Sequence, residues 1–301
     1  METFVPLYIS NHCDSLCKMC NFNRNNTSLE RIQATESKVV EQLMIIRDYE
    51  HISAVCILTG EVYGIERRMQ NLQNVCCAIN HSIDLGFERI FFNIGSLSND
   101  EIIYIKDNVR DPSKLVLSLF QETYDPISYQ ENFGAHPESN SKADFQNRLE
   151  TISRWLENGF KSVDIGILLG FKQVENDVDD LINHARHYIQ SGAEVYISTP
   201  RIKNGLIHDS QYIKIIKRIH REVPTAKLII TTRESIEFIN KVLDYISVIS
   251  PGSSDICPYD YTDYIPNCSK TSQFVIDEKR LRPMNVLKMI DYQEAILYFN
   301  V

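Results

Sequence analysis

VPLYIS, residues 5–10, runs without a break into NHCDSLCKMC, residues 11–20: an apolar stretch of strand length followed at once by three cysteines. A near-continuous apolar run is how a parallel strand buried on both faces reads. Seven more such runs follow: ISAVCILTG (52–60), RIFFNIG (89–95), KLVLSLFQE (114–122), SVDIGILLG (162–170), AEVYISTP (193–200), AKLIITTRE (226–234) and YISVIS (245–250). The intervening stretches are amphipathic. Residues 28–49 carry Ile32, Val39, Val40, Leu43 and Ile46 at helical spacing, and the helices expected over 148–160 and 177–192 close on Asn-Gly and Ser-Gly, sound C-terminal stops. Eight strands alternating with about seven helices predict an α/β fold, a single (β/α)8 barrel of the TIM type, over an open doubly wound sheet.

The chain is 301 residues long, 43% hydrophobic and 24% charged, with no low-complexity tract, so one domain spanning 1–301 with a sizeable core is expected. A net charge of −9 argues against nucleic acid or an anionic membrane surface as partner. METFVPLYISNHCD has neither a basic leader nor a long apolar run, and no window approaches the roughly 18 apolar residues of a spanning helix. A cytoplasmic protein is expected. In that reducing compartment, clustered cysteines among a total of eight suit metal or chemistry better than disulfides.

In a parallel barrel the functional groups gather at the C-terminal ends of the strands. Seven of the eight runs end in polar motifs: NHCDSLCKMC, TGE, NIGS, QETYD, STPR, TTRE and SPGSS. Cys13, Cys17 and Cys20 sit in the first of these. Thiolates are soft ligands for zinc and for iron–sulfur clusters. A structural zinc site wants four ligands, usually as two pairs, and no second pair lies at suitable spacing; His12 is expected to point away. Three thiolates on a cluster leave one iron open. Zinc and inert cysteines are the alternatives.

The C-x3-C-x2-C spacing followed by the aromatic Phe22 resembles the signature of the radical S-adenosylmethionine (SAM) enzymes. LYISNHCDSLCKMCNF, LTGE, LFQETYDPISY, KADFQNRLE, DIGILLGF, ISTPRIK, TTRE, ISVISPGSS and QFVIDEKR occur in this order over nearly the whole chain. Together they are similar to the aromatic amino-acid lyase family, which holds the tyrosine lyases of thiamine biosynthesis and [FeFe]-hydrogenase maturation and the tryptophan lyase of nosiheptide biosynthesis. The resemblance implies a radical SAM barrel with a 4Fe-4S cluster and S-adenosyl-L-methionine. It implies a 5′-deoxyadenosyl radical that abstracts hydrogen from the amino group of free tyrosine or tryptophan, with cleavage or rearrangement near Cα–Cβ. An external one-electron reductant of flavodoxin or ferredoxin type is implied as well.

Carried over by position, the resemblance makes Cys13, Cys17 and Cys20 the cluster ligands and Phe22 the aromatic backing the adenine or cluster. It makes Thr59, Gly60 and Glu61 the receiver of the methionine ammonium, Glu122 a carboxylate on the ribose or methionine end, and Arg148 the partner of the methionine carboxylate. Arg233 and Ser250 become the pair gripping the substrate's carboxylate and amine; an arginine fork is the strong choice for a carboxylate. Each has a structural alternative. Glu61 or Glu122 could cap a helix, Arg148 could pair with Glu150 or Glu157, Arg233 with Glu234 or Asp277, and Ser250 could be turn chemistry. Arg201 either lines the site or is structural.

Three departures stand out. The first strand begins at residue 5, without the family's long N-terminal extension. His136, Pro137, Glu138, Ser139, Asn140, Ser141 and Lys142 replace the family's HPGPK stretch, and SSDICPYDYTDYIPNCSKTSQF replaces its glycine-rich region. Cys257 and Cys268 in that segment are expected to be inert, Cys56, Cys76 and Cys77 to be core residues, and no auxiliary-cluster domain is expected. A family enzyme for another amino acid or amine, and a non-catalytic metal-binding barrel, are the competing functions.

Overall fold

The computed structural model describes residues 1–202 and 207–290. Its strands are β1 (Glu2–Thr3), β2 (Val5–Tyr8), β3 (Ala54–Leu58), β4 (Arg89–Asn93), β5 (Leu115–Ser118), β6 (Ser162–Gly166), β7 (Glu194–Ser198), β8 (Lys227–Thr231) and β9 (Val248–Ser250). All pair in parallel in the order β1-β9-β8-β7-β6-β5-β4-β3-β2. Because β1 and β2 are parts of one extended segment, its first residues pair with β9 and its last with β3. That split strand brings the sheet round into the eight-stranded barrel.

Helices α1 (Glu36–Met44), α2 (Ile65–Asp84), α3 (Asn99–Asn108), α4 (Pro126–Phe133), α5 (Phe145–Glu157), α6 (Val174–Gln190), α7 (Asp209–Glu222), α8 (Ile236–Val242) and α9 (Pro283–Met289) follow the strands. Their apolar faces and the outward side chains of the strands form one core, from Val5 and Val55 to Ile197 and Ile249. A second, smaller core fills the barrel itself: Phe4, Cys56, Phe91, Val116, Tyr196, Ile229 and Val248, one from each of seven positions around the wall. A TIM-type barrel interior is packed and not a pore, so any cavity must open above this plug.

The helix expected over 28–49 is shorter than its pattern. Thr35 caps α1, its side chain accepting from the Lys38 N–H, and the chain widens into a π-helical turn over Ile45–Tyr49. Upstream, Asn11 holds residues 30–32 non-helical: its amide donates to the Glu30 carbonyl and accepts from the Ile32 N–H. The pattern of 28–34 lacked that competing side chain–backbone bonding. The segment after the eighth run holds an antiparallel pair, β10 (Tyr264–Pro266) and β11 (Lys279–Leu281). Its far end is fastened by a buried ion pair, Arg282 to Glu50 at 2.8 Å. Among the described residues no helix is long and apolar enough to cross a membrane.

Candidate active site

One cavity opens at the C-terminal ends of the strands. Its wall includes Cys13, Cys17, Cys20, Phe22, Thr59, Gly60, Glu61, Glu122, Arg148, Arg233 and Ser250, which is every site residue expected from sequence.

The cysteine loop is set by the strands beneath it. The Asp14 N–H donates to the Glu61 carbonyl at 2.8 Å, locking the loop to the segment that follows β3. The Asp14 carboxylate then accepts from the Tyr63 N–H and pairs with Arg67. Close approach demands Gly60: a Cβ there would lie 2.5 Å from the Cys13 Cβ. Phe22 is buried and meets Tyr8 edge-on, ring centroids 5.9 Å apart. The Cys20 sulfur accepts from the Gln273 amide at 3.4 Å, and Gln273 in turn accepts from the Tyr8 hydroxyl at 2.7 Å.

The donor set fits a cluster. All three cysteines are free, and all three thiols face the one cavity. Burial raises each thiol, Cys20 to about 11, with the neighbouring sulfurs adding to the effect at Cys17 and Cys20. Three buried thiolates need a compact positive charge beside them, which an iron–sulfur core provides. Among the described residues the three sulfurs do not gather within 4.8 Å of one another, the spacing that suits one mononuclear ion. A wider, multi-iron core suits them better.

Next to the thiols lies a buried charge network. The Arg148 guanidinium stands 3.4 Å from Glu61 and 3.5 Å from Glu122, and its Nε donates to the Phe120 carbonyl at 2.6 Å. Lys142 pairs with Glu122 at 2.5 Å. Burial and Arg148 oppose the charge on Lys142, but Glu122, Cys17 and Glu61 outweigh them and raise it. Glu61 also accepts from the Ser96 N–H at 2.9 Å. Two carboxylates and two cations thus neutralise each other within the wall, and neither the helix-capping alternative nor a pairing of Arg148 with Glu150 or Glu157 describes them. Glu122 reaches this position with φ +72, beyond the end of β5, a conformation rare for a residue with a Cβ. Lys142 opens the KADFQNRLE stretch that ends the divergent loop, and the sequence reading gave it no role because its partner Glu122 lies twenty residues away.

Arg233 lies just beyond β8. Its guanidinium sits 4.3 Å from the Phe274 ring and donates to the Arg201 carbonyl at 2.8 Å. Among the described residues no carboxylate lies within ion-pair distance of it, so the pairing with Glu234 or Asp277 is not formed. Burial lowers its pKa. Arg280, on β11, also lines the cavity and is likewise lowered by burial. A half-buried guanidinium facing a cavity, with no carboxylate of the chain paired to it, has the chemistry to receive one from a ligand. Arg201 is structural: it pairs with Glu234 and Asp209 and stacks on Tyr212 and Phe238. Ser250 is buried at the end of β9 in the cavity wall.

The segment 253–282 closes this side of the cavity, supplying Gln273, Phe274 and Arg280. The Glu30 N–H donates to the Lys270 carbonyl and the Asn21 N–H to the Gln273 carbonyl, tying the segment to the cysteine loop. Cys257 and Cys268 are unpaired within it; Cys268 meets the Thr271 hydroxyl at 3.2 Å. Cys76 is buried in the core. Cys77 is not: it is half-buried on the outer surface, beside Glu36 and His81, because one helical position turns it away from Cys76.

No protein-family model matches the chain. It is 25% identical over 284 residues to the 2-iminoacetate synthase of Escherichia coli (strain K12), covering 89% of this chain and 70% of that one. The 2-iminoacetate synthase of Salmonella typhimurium (strain LT2) matches over 287 residues at 25% identity, with the same coverage. Among solved structures, the FeFe-hydrogenase maturase HydG from Carboxydothermus hydrogenoformans superposes with a TM-score of 0.80 at 25% identity, over 97% of this chain. This chain spans 66% of that maturase. Methylornithine synthase (PylB), at 18% identity and a TM-score of 0.67, shares the fold. The cysteine spacing, the thiol-lined cavity and these relatives agree in making the chain similar to the radical SAM tyrosine lyases.

Proposed function

We propose that the chain cleaves free tyrosine between Cα and Cβ, as a radical SAM lyase whose reaction begins at the substrate's amino group. The observation that carries this reading is that Arg233, a cation with no carboxylate partner among the described residues, faces the same cavity as Cys13, Cys17 and Cys20. An amino acid held there by its carboxylate is delivered beside the cluster.

Cys13, Cys17 and Cys20 would hold the 4Fe-4S cluster. Thr59, Gly60, Glu61, Glu122 and Arg148, with Phe22, would hold S-adenosyl-L-methionine. When bound, this pair supplies a 5′-deoxyadenosyl radical, the hard chemistry that a protein side chain cannot provide. The chain's own contribution is positioning. Glu61 and Glu122 are preorganised by Arg148, Lys142 and the Ser96 N–H, so neither reorients when a cationic group arrives. Arg233 fixes the substrate carboxylate, and Ser250 stands on the neighbouring strand to take the amine. Orientation of this kind decides which hydrogen meets the radical. Segment 253–282 covers the site and limits water. The electron comes from outside, from a flavodoxin- or ferredoxin-type reductant, and the unpaired cysteines suit the cytoplasm.

The test is anaerobic reconstitution with iron and sulfide, then incubation with SAM, reductant and single amino acids. 5′-Deoxyadenosine and p-cresol from tyrosine are expected. A methylindole acid from tryptophan would move the substrate assignment, and no 5′-deoxyadenosine with any amino acid would overturn the reading.

A further inference from the structure

The cavity wall includes Phe4, Cys56 and Ile229 of the barrel plug, and one carboxylate lies on that apolar floor. Asp164, in the middle of β6, lines the cavity together with these three. Its carboxylate accepts from Ser118 on β5 at 2.7 Å and from Ser198 on β7 at 2.9 Å. Among the described residues no lysine, arginine or histidine lies within ion-pair distance of it. A fully buried carboxylate held only by two hydroxyls is costly to fold, and such groups mark functional sites when they face a cavity.

The two serine protons are both directed at Asp164, so what this trio offers upward with Asp164 ionised is acceptor capacity. It is complementary to a ligand that brings a hydrogen-bond donor to the end of an apolar body. We propose that the Ser118–Asp164–Ser198 floor is the side-chain subsite for the substrate, receiving a phenolic hydroxyl and thereby selecting tyrosine over phenylalanine. This rests on the amino-acid lyase reading above. The chain positions agree: Arg233 lies past the end of β8, at the mouth, whereas Asp164 lies within β6, deeper in the barrel. An amino acid anchored by its carboxylate at the mouth directs its side chain to the floor. Phe4, stacked on Phe91 at 4.4 Å, gives the ring an aromatic neighbour. A site built to bond a substrate hydroxyl rejects the analogue lacking it strongly, because its own buried polar groups are left unpaired.

The test is calorimetric binding of tyrosine and of phenylalanine to anaerobic, cluster-reconstituted enzyme with SAM present, for the native chain, Asp164→Ala and the isosteric Asp164→Asn. The native enzyme should bind tyrosine at least about 100-fold more tightly than phenylalanine. Asp164→Ala should cut that ratio roughly 10- to 100-fold, through weaker tyrosine binding. Asp164→Asn should fall between, and it carries the test if the alanine variant does not fold. A merely structural Asp164 would lower the melting temperature and leave the ratio alone; an unchanged ratio in a folded variant, or a native ratio near one, overturns the proposal. If the native enzyme binds no aromatic amino acid, the lyase reading falls first and takes the subsite with it.

Discussion

Gly95 leaves no room for any side chain beside Glu61: a Cβ built at residue 95 would lie 1.8 Å from the Glu61 Cγ. Residue 95 also has φ +87, where a Cβ is strained by roughly 1–2 kcal/mol. Gly95→Ala should therefore displace Glu61 from Arg148. We expect a loss of at least that much stability in urea titrations and a fall of ten-fold or more in SAM affinity by calorimetry. Unchanged SAM affinity would show that the position of Glu61 is immaterial.

Arg148 is buried between two carboxylates. Arg148→Met should cost about 3–5 kcal/mol, because Glu61 and Glu122 are left as uncompensated buried charges apart from Lys142. Adding Glu61→Gln to the methionine variant should recover part of the loss. Chemical denaturation of the single and double variants measures both effects, and strict additivity would argue against the network.

The three cavity thiols and the two thiols of segment 253–282 should separate cleanly. Alanine at Cys13, Cys17 or Cys20 should abolish the iron–sulfur absorbance and 5′-deoxyadenosine formation. Alanine at Cys257 or Cys268 should leave iron and sulfide content unchanged, since neither faces the cavity. Loss of iron in Cys268→Ala would place a second metal in that segment.

Arg233→Lys keeps the charge and removes the fork. With Phe274 as its stacking partner, the guanidinium is favoured twice over an ammonium. We expect KM for the amino acid to rise ten-fold or more with a smaller change in kcat, read from initial rates of 5′-deoxyadenosine release.

Two buried groups titrate in opposite senses. Burial pushes Asp164 up to about 7 from 3.8, against the hydroxyls of Ser118 and Ser198. Between those values the folded chain holds a proton that the unfolded chain has released, so this group's contribution to stability falls as pH rises. Burial, aided by His187, lowers His184 to about 4 from 6.5, so between those values the unfolded chain holds the extra proton and stability rises with pH. Melts of the native chain and Asp164→Asn at pH 5 and 7.5 isolate the first. The native chain should lose stability relative to the variant on going to pH 7.5, and parallel curves would mean that Asp164 does not titrate there.

Much of the barrel was legible because parallel strands buried on both faces have to be apolar throughout, and eight such runs at regular spacing have few other uses. Helix ends were less legible. The pattern of residues 28–34 suits a helix, yet Asn11, some twenty residues away, takes the backbone bonds of residues 30 and 32. Cys77 read as core beside Cys76 because hydrophobicity says nothing about which of two adjacent helical positions faces inward.

The site divides along the same line. Cys13, Cys17 and Cys20 need nothing but their local spacing, so the sequence alone determined that these three stand together as candidate cluster ligands, and the strand-end motifs determined at which end of the barrel the cavity opens. Tertiary structure alone decided what those residues meet. Lys142 gains its role from Glu122 at the end of another strand, Gln273, Phe274 and Arg280 come from a segment that returns across the mouth, and Asp164 gains its meaning from serines on the two neighbouring strands. The physical reason is desolvation: a charged residue reads the same in any sequence, and only the burial of its surroundings decides whether it is a solvated surface group or a group waiting for a ligand.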